Sequence, residues 1–244
     1  MKFAHDKAIL LVIALFVMPA ASWAFNFVPT RAEWDSWPPH CKARYSISPA
    51  GDGTEFARIV PTAEVQSWNA QVGEYVWSHM HHYCAGIAFQ FRARLEVDPG
   101  KRSMYLERAT KEVDYTYRHL KPGMPLYSTV SIAMGSVWAD RRQYGRATGY
   151  LKGAISAQPE EPSGYVALAS VYQNQKRPDL AKTVLLEGDE ASGGSSAEIA
   201  YYLGLVSLDL GQKDAALEYA RKAYGMGYPL PGLRRKLNAA GMTL

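Results

Sequence analysis

The chain has 244 residues, of which 48% are apolar and 20% are charged, and its formal net charge is +4. This composition is ordinary for a globular protein and argues against extensive disorder. The 27 basic and 23 acidic residues are too evenly mixed to favour a nucleic-acid partner, whose binding needs a concentrated basic surface, so none is expected.

The first 24 residues have the three-part pattern of a secretory signal. Lys2 and Lys7 lie at its start, an apolar run over residues 8–18 follows, and small residues end it at Ala24. The apolar run is shorter than the ~20 residues needed to cross a bilayer, which argues against the alternative of an uncleaved anchor. We therefore expect cleavage after Ala24, export to the bacterial periplasm, and no membrane span in the mature chain.

Both cysteines, Cys41 and Cys84, lie in the mature chain. An even number of cysteines in an oxidising compartment predicts a Cys41–Cys84 disulfide, with two free thiols as the alternative. The bond would close a loop of 43 residues and stabilise the fold by about 4 kcal/mol.

Residues 25–61 are rich in Pro, Gly, Trp and Ser and show no sustained helical period. Trp34 and Trp37 stand just ahead of the first cysteine, and large aromatic side chains are rarely left in water. We therefore predict that this extension packs across the helices that follow. Residues 42–47 alternate weakly, which we interpret as a short strand.

Residues 62–127 have the apolar spacing of an irregular helical hairpin with long arms. The first arm runs from Thr62 to about Val97, with a break near Gly73. A Pro-Gly turn follows, and the second arm covers residues 101–120.

Residues 128–244 contain an internal repeat. Gly135, Ala169 and Gly204 are separated by 34 and then 35 residues, and alanines recur at the same separations twelve positions later. A period of about 34 residues with two amphipathic helices in each unit is typical of a helical solenoid. The one extra residue falls in the loop at 192–196, where an insertion costs little.

These repeats resemble the tetratricopeptide family. The clearest unit runs from Tyr202-Leu203-Gly204 through Gly211 and Ala215-Ala216 to Lys222-Ala223. The resemblance implies an all-α, right-handed superhelical solenoid of about three repeats, preceded by the irregular hairpin and closed by a C-terminal capping helix. We predict that this cap lies at residues 229–237 and turns Leu230, Leu233 and Leu237 inward.

The resemblance also implies a concave groove, lined by the first helix of each hairpin, that binds segments of other proteins. The phase of the repeats assigns eleven residues to this groove, although an ordinary solvent-exposed face is the alternative. They are Ile132, Ser136, Asp140, Val166, Ser170, Gln173, Asn174, Tyr201, Leu205, Leu208 and Asp209. The set lacks the lysine, asparagine and arginine with which some relatives hold a C-terminal carboxylate, so a chaperone-tail receptor is not expected.

Three histidines, His40, His79 and His82, are candidate metal ligands if the disulfide brings them together. The alternative is that they line a packed helix. The sequence has no G-x-S-x-G elbow, no redox CxxC pair and no phosphate-binding loop. We therefore expect neither a cofactor nor an enzyme. The basic residues between Arg92 and Lys121 share their stretch with acidic ones, which indicates a mixed helix face, with an acidic partner as the alternative.

Taken together, these features predict a non-catalytic scaffold or assembly factor of the bacterial envelope that holds a segment of another exported protein. One alternative is a permanent structural subunit of a larger envelope complex, in which Trp34 and Trp37 are contact residues. The other is a metal- or redox-handling periplasmic protein that uses the region from His79 to Cys84.

Overall fold

The computed structural model describes residues 27–244, so the predicted signal sequence and its cleavage after Ala24 lie outside the described residues. Within residues 27–244 the secondary structure is helical, with twelve α-helices, one 3-10 turn at Pro49–Gly51 and no strand. The helices are α1 (Arg31–Ser36), α2 (Pro39–Ser46), α3 (Thr62–Val72), α4 (Glu74–Leu95), α5 (Pro99–Arg118), α6 (Tyr127–Asp140), α7 (Tyr144–Ala157), α8 (Pro162–Asn174), α9 (Pro178–Ala191), α10 (Ala197–Asp209), α11 (Lys213–Gly225) and α12 (Gly232–Ala239).

From α4 onward the helices form four successive hairpins, α4–α5, α6–α7, α8–α9 and α10–α11, followed by the single helix α12. The second helix of each hairpin also packs against the first helix of the next hairpin, so the apolar faces are buried between neighbours. The predicted all-α solenoid is confirmed.

Glycines at the helix crossings explain how closely the hairpins pack. A Cβ atom on Gly135 of α6 would lie 2.5 Å from Cγ of Leu151 and 3.2 Å from the carbonyl oxygen of Ala147, both in α7. A side chain on Gly135 would therefore force Leu151 to move, so this crossing needs a small residue. Gly204 of α10 is packed as closely. A Cβ atom there would lie 2.5 Å from Cδ2 of Leu233 in α12 and 3.5 Å from the carbonyl oxygen of Ala216 in α11.

The first hairpin repeats this packing, although its sequence does not show the 34-residue register. A Cβ atom on Gly86 of α4 would clash with the side chain of Val113 and would lie 3.2 Å from the carbonyl oxygen of Ala109. Gly86 and Ala109 are 23 positions apart, whereas Gly135 and its facing alanine are 12 apart. The hairpin α4–α5 is therefore an enlarged version of the later units.

Residues 27–73, which we call the N-terminal segment, pack on α4 through α2 and α3. Trp34 and Trp37 are both buried in the core that this segment shares with α4. The predicted disulfide between Cys41 of α2 and Cys84 of α4 is confirmed, and both residues are fully buried. The segment thus covers the apolar end of the first hairpin, as a stack of repeats requires.

Two sequence predictions about short elements are wrong. Residues 42–47 do not form a strand, because residues 42–46 belong to α2, which starts at Pro39. Proline suits the first helical turn, and this eight-residue helix is buried on more than one side, so its apolar residues do not show a helical period. Leu230 does not face inward: it precedes α12 and is 48% exposed, whereas Leu233 and Leu237 are fully buried.

No helix in residues 27–244 has both the length and the apolar character needed to cross a membrane.

Candidate protein-binding surface

The first helices of the hairpins, α4, α6, α8 and α10, lie side by side and continue into α12. We call the surface along this row the inner wall. Hydrogen bonds between polar side chains join neighbouring helices there. Arg94 Nε of α4 donates to Asp140 Oδ2 of α6 over 2.9 Å. Gln173 Nε2 of α8 donates to Asp209 Oδ2 of α10 over 3.2 Å. These bridges place the predicted polar groove residues on the inner wall.

Most of the predicted groove residues keep accessible surface. Asn174 and Asp209 are exposed, and seven others are half-buried: Ile132, Ser136, Asp140, Ser170, Gln173, Leu205 and Leu208. Val166 and Tyr201 are buried, with exposed fractions of 7% and 5%, so they offer little surface to a guest.

Tyr201 is buried because α12 covers it. A Cβ atom on Gly232, the first residue of α12, would lie 2.5 Å from the Tyr201 hydroxyl, and the Tyr228 ring packs 4.5 Å from the Tyr201 ring. A shallow pocket remains between α10 and α12, with Leu205 in its lining and Lys236 at its rim. The inner wall therefore ends in a small apolar depression beside positive charge.

Two of the groove residues are engaged in a network between α4 and α6. The buried amide of Gln90 donates to Ser136 Oγ over 2.9 Å and to Asp140 Oδ2 over 2.7 Å. Arg94 donates to the same two side chains, over 2.8 Å and 2.9 Å. Ser136 and Asp140 consequently hold α4 against α6, and a guest would have to compete with these bonds.

The remaining inner-wall side chains make fewer hydrogen bonds to other side chains of the protein. Ile132, Leu205 and Leu208 contribute half-buried apolar surface. The Ser170 hydroxyl donates to the Val166 carbonyl over 3.0 Å, which leaves its oxygen able to accept a further bond. Apolar contacts together with a few hydrogen-bonding groups are what a peptide-binding surface offers.

Residues 197–226 match the family model of the tetratricopeptide repeat, and this segment coincides with α10 and α11. The chain contains a tetratricopeptide repeat. No curated protein matches the chain. The hairpins α6–α7 and α8–α9 share the 34-residue register of the matched repeat, so the solenoid is built from tetratricopeptide-like hairpins.

The turn inside the matched tetratricopeptide repeat has a left-handed residue, Gly211, with φ of 71°. The equivalent turns of the two preceding hairpins have Arg142 and Lys176 at this position, each with φ of 58°. Glycine adopts this conformation without a Cβ penalty, whereas a long side chain does so at a cost.

Two of the histidines predicted as candidate metal ligands, His79 and His82, lie in α4 and both contact Tyr115 of α5, whereas His40 lies elsewhere. His82 Nδ1 lies 2.6 Å from Glu112 Oε2, and the other oxygen of Glu112 accepts a bond from Arg108 Nε over 2.6 Å. His79 stacks on His119, with 4.0 Å between the ring centroids. The Nδ1 atom of His82 is thus engaged by a carboxylate that itself pairs with Arg108. Among residues 27–244, no group of three or more His, Cys, Asp or Glu side chains is arranged to hold a metal ion.

His40 lies away from this pair, with its ring centroid 5.5 Å from that of Trp68 and 6.0 Å from that of Tyr83. Burial lowers the pKa of His40 to about 4. Burial also lowers the pKa of His81 to about 3, and the charges of neighbouring groups act in the same direction. Both histidines are therefore neutral at neutral pH; His40 is buried, whereas His81 is half-buried.

A buried ion pair between the N-terminal segment and the repeats was not predicted. Arg92 of α4 donates to both carboxylate oxygens of Glu33, which is 2% exposed and 59 positions away. Burial raises the pKa of Glu33, but the bonds from Arg92 and from the Thr30 amide outweigh it, so the pKa lies below its usual value. The only sequence signal was the capping-box spacing of Thr30 and Glu33, which indicates a helix start and says nothing of Arg92.

Ion pairs also account for most of the basic stretch between Arg92 and Lys121. The pairs are Arg92–Glu33, Arg94–Asp140, Arg108–Glu112, Lys111–Glu107 and Arg118–Asp114. A mixed and internally paired helix face therefore describes this region.

Proposed function

We propose that this chain is a non-catalytic protein-binding scaffold that holds a segment of another exported protein on its inner wall. The observation that supports this proposal is the continuous row of first helices with Ile132, Leu205 and Leu208 half-exposed beside Ser170 and Asn174. The tetratricopeptide repeat at residues 197–226 points in the same direction, because proteins with this repeat usually bind other proteins.

The dimensions suit an extended segment. Packed helices lie about 8–10 Å apart, so the row from α6 to α12 spans roughly 27 Å. An extended chain rises about 3.3 Å per residue, and about eight residues would cross this distance. Alternate side chains of such a guest would meet the apolar positions, and its backbone amides would reach the Ser170 and Asn174 oxygens.

Export is supported by the disulfide and by the N-terminal pattern. A fully buried Cys41–Cys84 bond that joins two helices is typical of proteins that mature in an oxidising compartment. Two observations favour the scaffold over the alternatives of a permanent subunit and of a metal- or redox-handling protein. Trp34 and Trp37 are buried in the chain's own core, and His82 is paired with Glu112.

Site-specific photo-crosslinking in the living cell tests this proposal. A photoreactive residue replaces Ser170 or Leu205 on the inner wall, and the matched controls carry it at the exposed positions Ser156 or Leu186 on the second helices. We expect a discrete crosslinked protein from the inner-wall positions and none from the controls. Equal crosslinking from both faces, or crosslinking from the control positions alone, would reject the inner wall as the binding surface.

A further inference from the structure

The turns that connect the first and second helix of each hairpin all lie at one edge of the solenoid, which we call the turn edge. The first helices run parallel, so each ends at this edge. Adjacent turns meet there, because Arg102 at the start of α5 lines one pocket with Arg141 and Arg142. Gln173 and Lys176 likewise line a pocket with Asp209 of the next hairpin.

Charge is segregated between this edge and the opposite one. The turn segments 96–102, 141–146, 175–179 and 210–214 contain eight basic and four acidic residues. The connections on the opposite edge, 119–126, 158–163 and 187–198, contain six acidic residues and one basic residue, Lys121. One of the acidic residues at the turn edge, Asp179, is 3.9 Å from Arg177. The connecting segments of the two edges therefore have net formal charges of opposite sign, although the net charge of the whole chain is small.

Apolar side chains project from the same edge at the first turn. Leu95 and Val97 are 68% and 93% exposed, and Met104 in the first part of α5 is 56% exposed. Lys101 and Arg102 lie beside them and are exposed. These exposed aliphatic residues alternate with Glu96 and Asp98 and are followed by Lys101 and Arg102, so the tip of this turn is an amphipathic surface with mixed charge.

The backbone adds an independent observation. Arg142 and Lys176 occupy left-handed positions, each with φ of 58°, where the third hairpin has Gly211. A long side chain is strained there, and strained residues tend to occur where a function retains them. The structure keeps a basic side chain at the two turns where glycine would be the less strained choice.

We propose that the turn edge docks this protein onto an anionic lipid surface. Leu95, Val97 and Met104 enter the boundary between headgroups and acyl chains, while the row of basic side chains contacts the anionic headgroups. The turn edge adjoins the end of the inner wall, because Gln173 and Asp209 line a pocket there with Lys176, but the side chains proposed to contact lipid are different from those proposed to hold a guest. A single-stranded nucleic acid would instead require aromatic platforms for its bases, and the exposed tip is aliphatic.

Flotation of the purified mature protein, from Phe25 onward, with lipid vesicles tests this proposal. We expect binding to vesicles that contain phosphatidylglycerol and little binding to pure phosphatidylcholine, with a decrease as the salt concentration rises. The variant Arg142→Gly/Lys176→Gly removes two basic side chains and relieves backbone strain. We expect it to bind at least about tenfold more weakly while it unfolds at the same or a higher denaturant concentration.

Matched variants separate the lipid surface from other polyanions. Leu95→Ser/Val97→Ser should weaken vesicle binding about tenfold, whereas Leu186→Ser and Lys121→Gln/Lys152→Gln, at exposed positions away from the turn edge, should bind as the parent does. No binding to phosphatidylglycerol vesicles would overturn the proposal. It would also be overturned if duplex DNA competed fully and the Leu95→Ser/Val97→Ser variant bound vesicles normally, because the edge would then recognise charge alone.

Discussion

His40 makes the stability of the N-terminal segment depend on pH. Its ring is 8% exposed, lies beside Trp68 and Tyr83, and its Nε2 has no hydrogen-bond partner within the described chain. Burial lowers the pKa of His40 to about 4, from an ordinary value of 6.5. The folded protein therefore holds the neutral imidazole under conditions where the unfolded chain already binds a proton.

The direction of the effect follows from this difference. Above pH 6.5 His40 is neutral in both states, and the stability of the fold is fully present. As the pH falls from 6.5 towards 4, the unfolded state takes up the proton and the folded state does not, so the free energy of unfolding decreases. Between about pH 8 and about pH 5, His40 alone should lower the free energy of unfolding by about 2 kcal/mol. His81, whose pKa is lowered to about 3, acts in the same direction.

The variant His40→Phe isolates the contribution of His40, because it keeps an aromatic ring in the pocket and removes the titration. Denaturant unfolding followed by tryptophan fluorescence is a suitable assay, since Trp34, Trp37, Trp68 and Trp77 lie in the N-terminal segment or in α4. We expect the parent protein to lose about 2 kcal/mol more than the variant over this pH range. Equal losses in the two proteins would refute the reasoning.

Three further predictions concern the packing of the solenoid. Replacing both cysteines with serine should lower the free energy of unfolding by about 4 kcal/mol in denaturant titrations, and a reducing agent should then have no further effect. Gly135→Ala should destabilise the fold by about 1–3 kcal/mol, because the new Cβ meets Leu151 at 2.5 Å. The control Gly149→Ala, which has open space around its Cβ position, should instead raise the midpoint of thermal unfolding slightly. Glu33→Gln should cost about 3 kcal/mol, since it leaves the Arg92 guanidinium without its buried carboxylate, and an unchanged denaturation midpoint would contradict this.

The second half of the fold was predictable because its information is local. Gly135 and Gly204 recur in register with the alanines that face them, and each crossing needs a small residue, so sequence spacing reports packing directly. The repeat-like packing of the first hairpin could not be predicted in this way. Gly86 and Ala109 are 23 positions apart, so they do not fit the register of the later units, although they pack in the same way.

The N-terminal segment and the details of the candidate site depend on contacts that sequence spacing does not encode. Glu33 and Arg92 meet across 59 positions, and His82 and Glu112 across 30. Tyr201 was assigned to the open groove by its phase in the repeat, but the phase does not show that α12 folds back over it. Half-exposed positions such as Ser170 and Leu205 follow from helix phase alone and could be predicted.

Cysteine footprinting is the most direct test of the proposal that the inner wall holds a guest protein. Both native cysteines are locked in the buried disulfide, so a single cysteine introduced at Ile132, Ser170 or Leu205, or at Leu186 as a control, is the only free thiol. Labelling rates are then measured with and without the protein recovered by crosslinking. We predict slower labelling at the three inner-wall positions and an unchanged rate at Leu186. Unchanged rates on the inner wall, or protection of Leu186 alone, would contradict the proposed mode of binding.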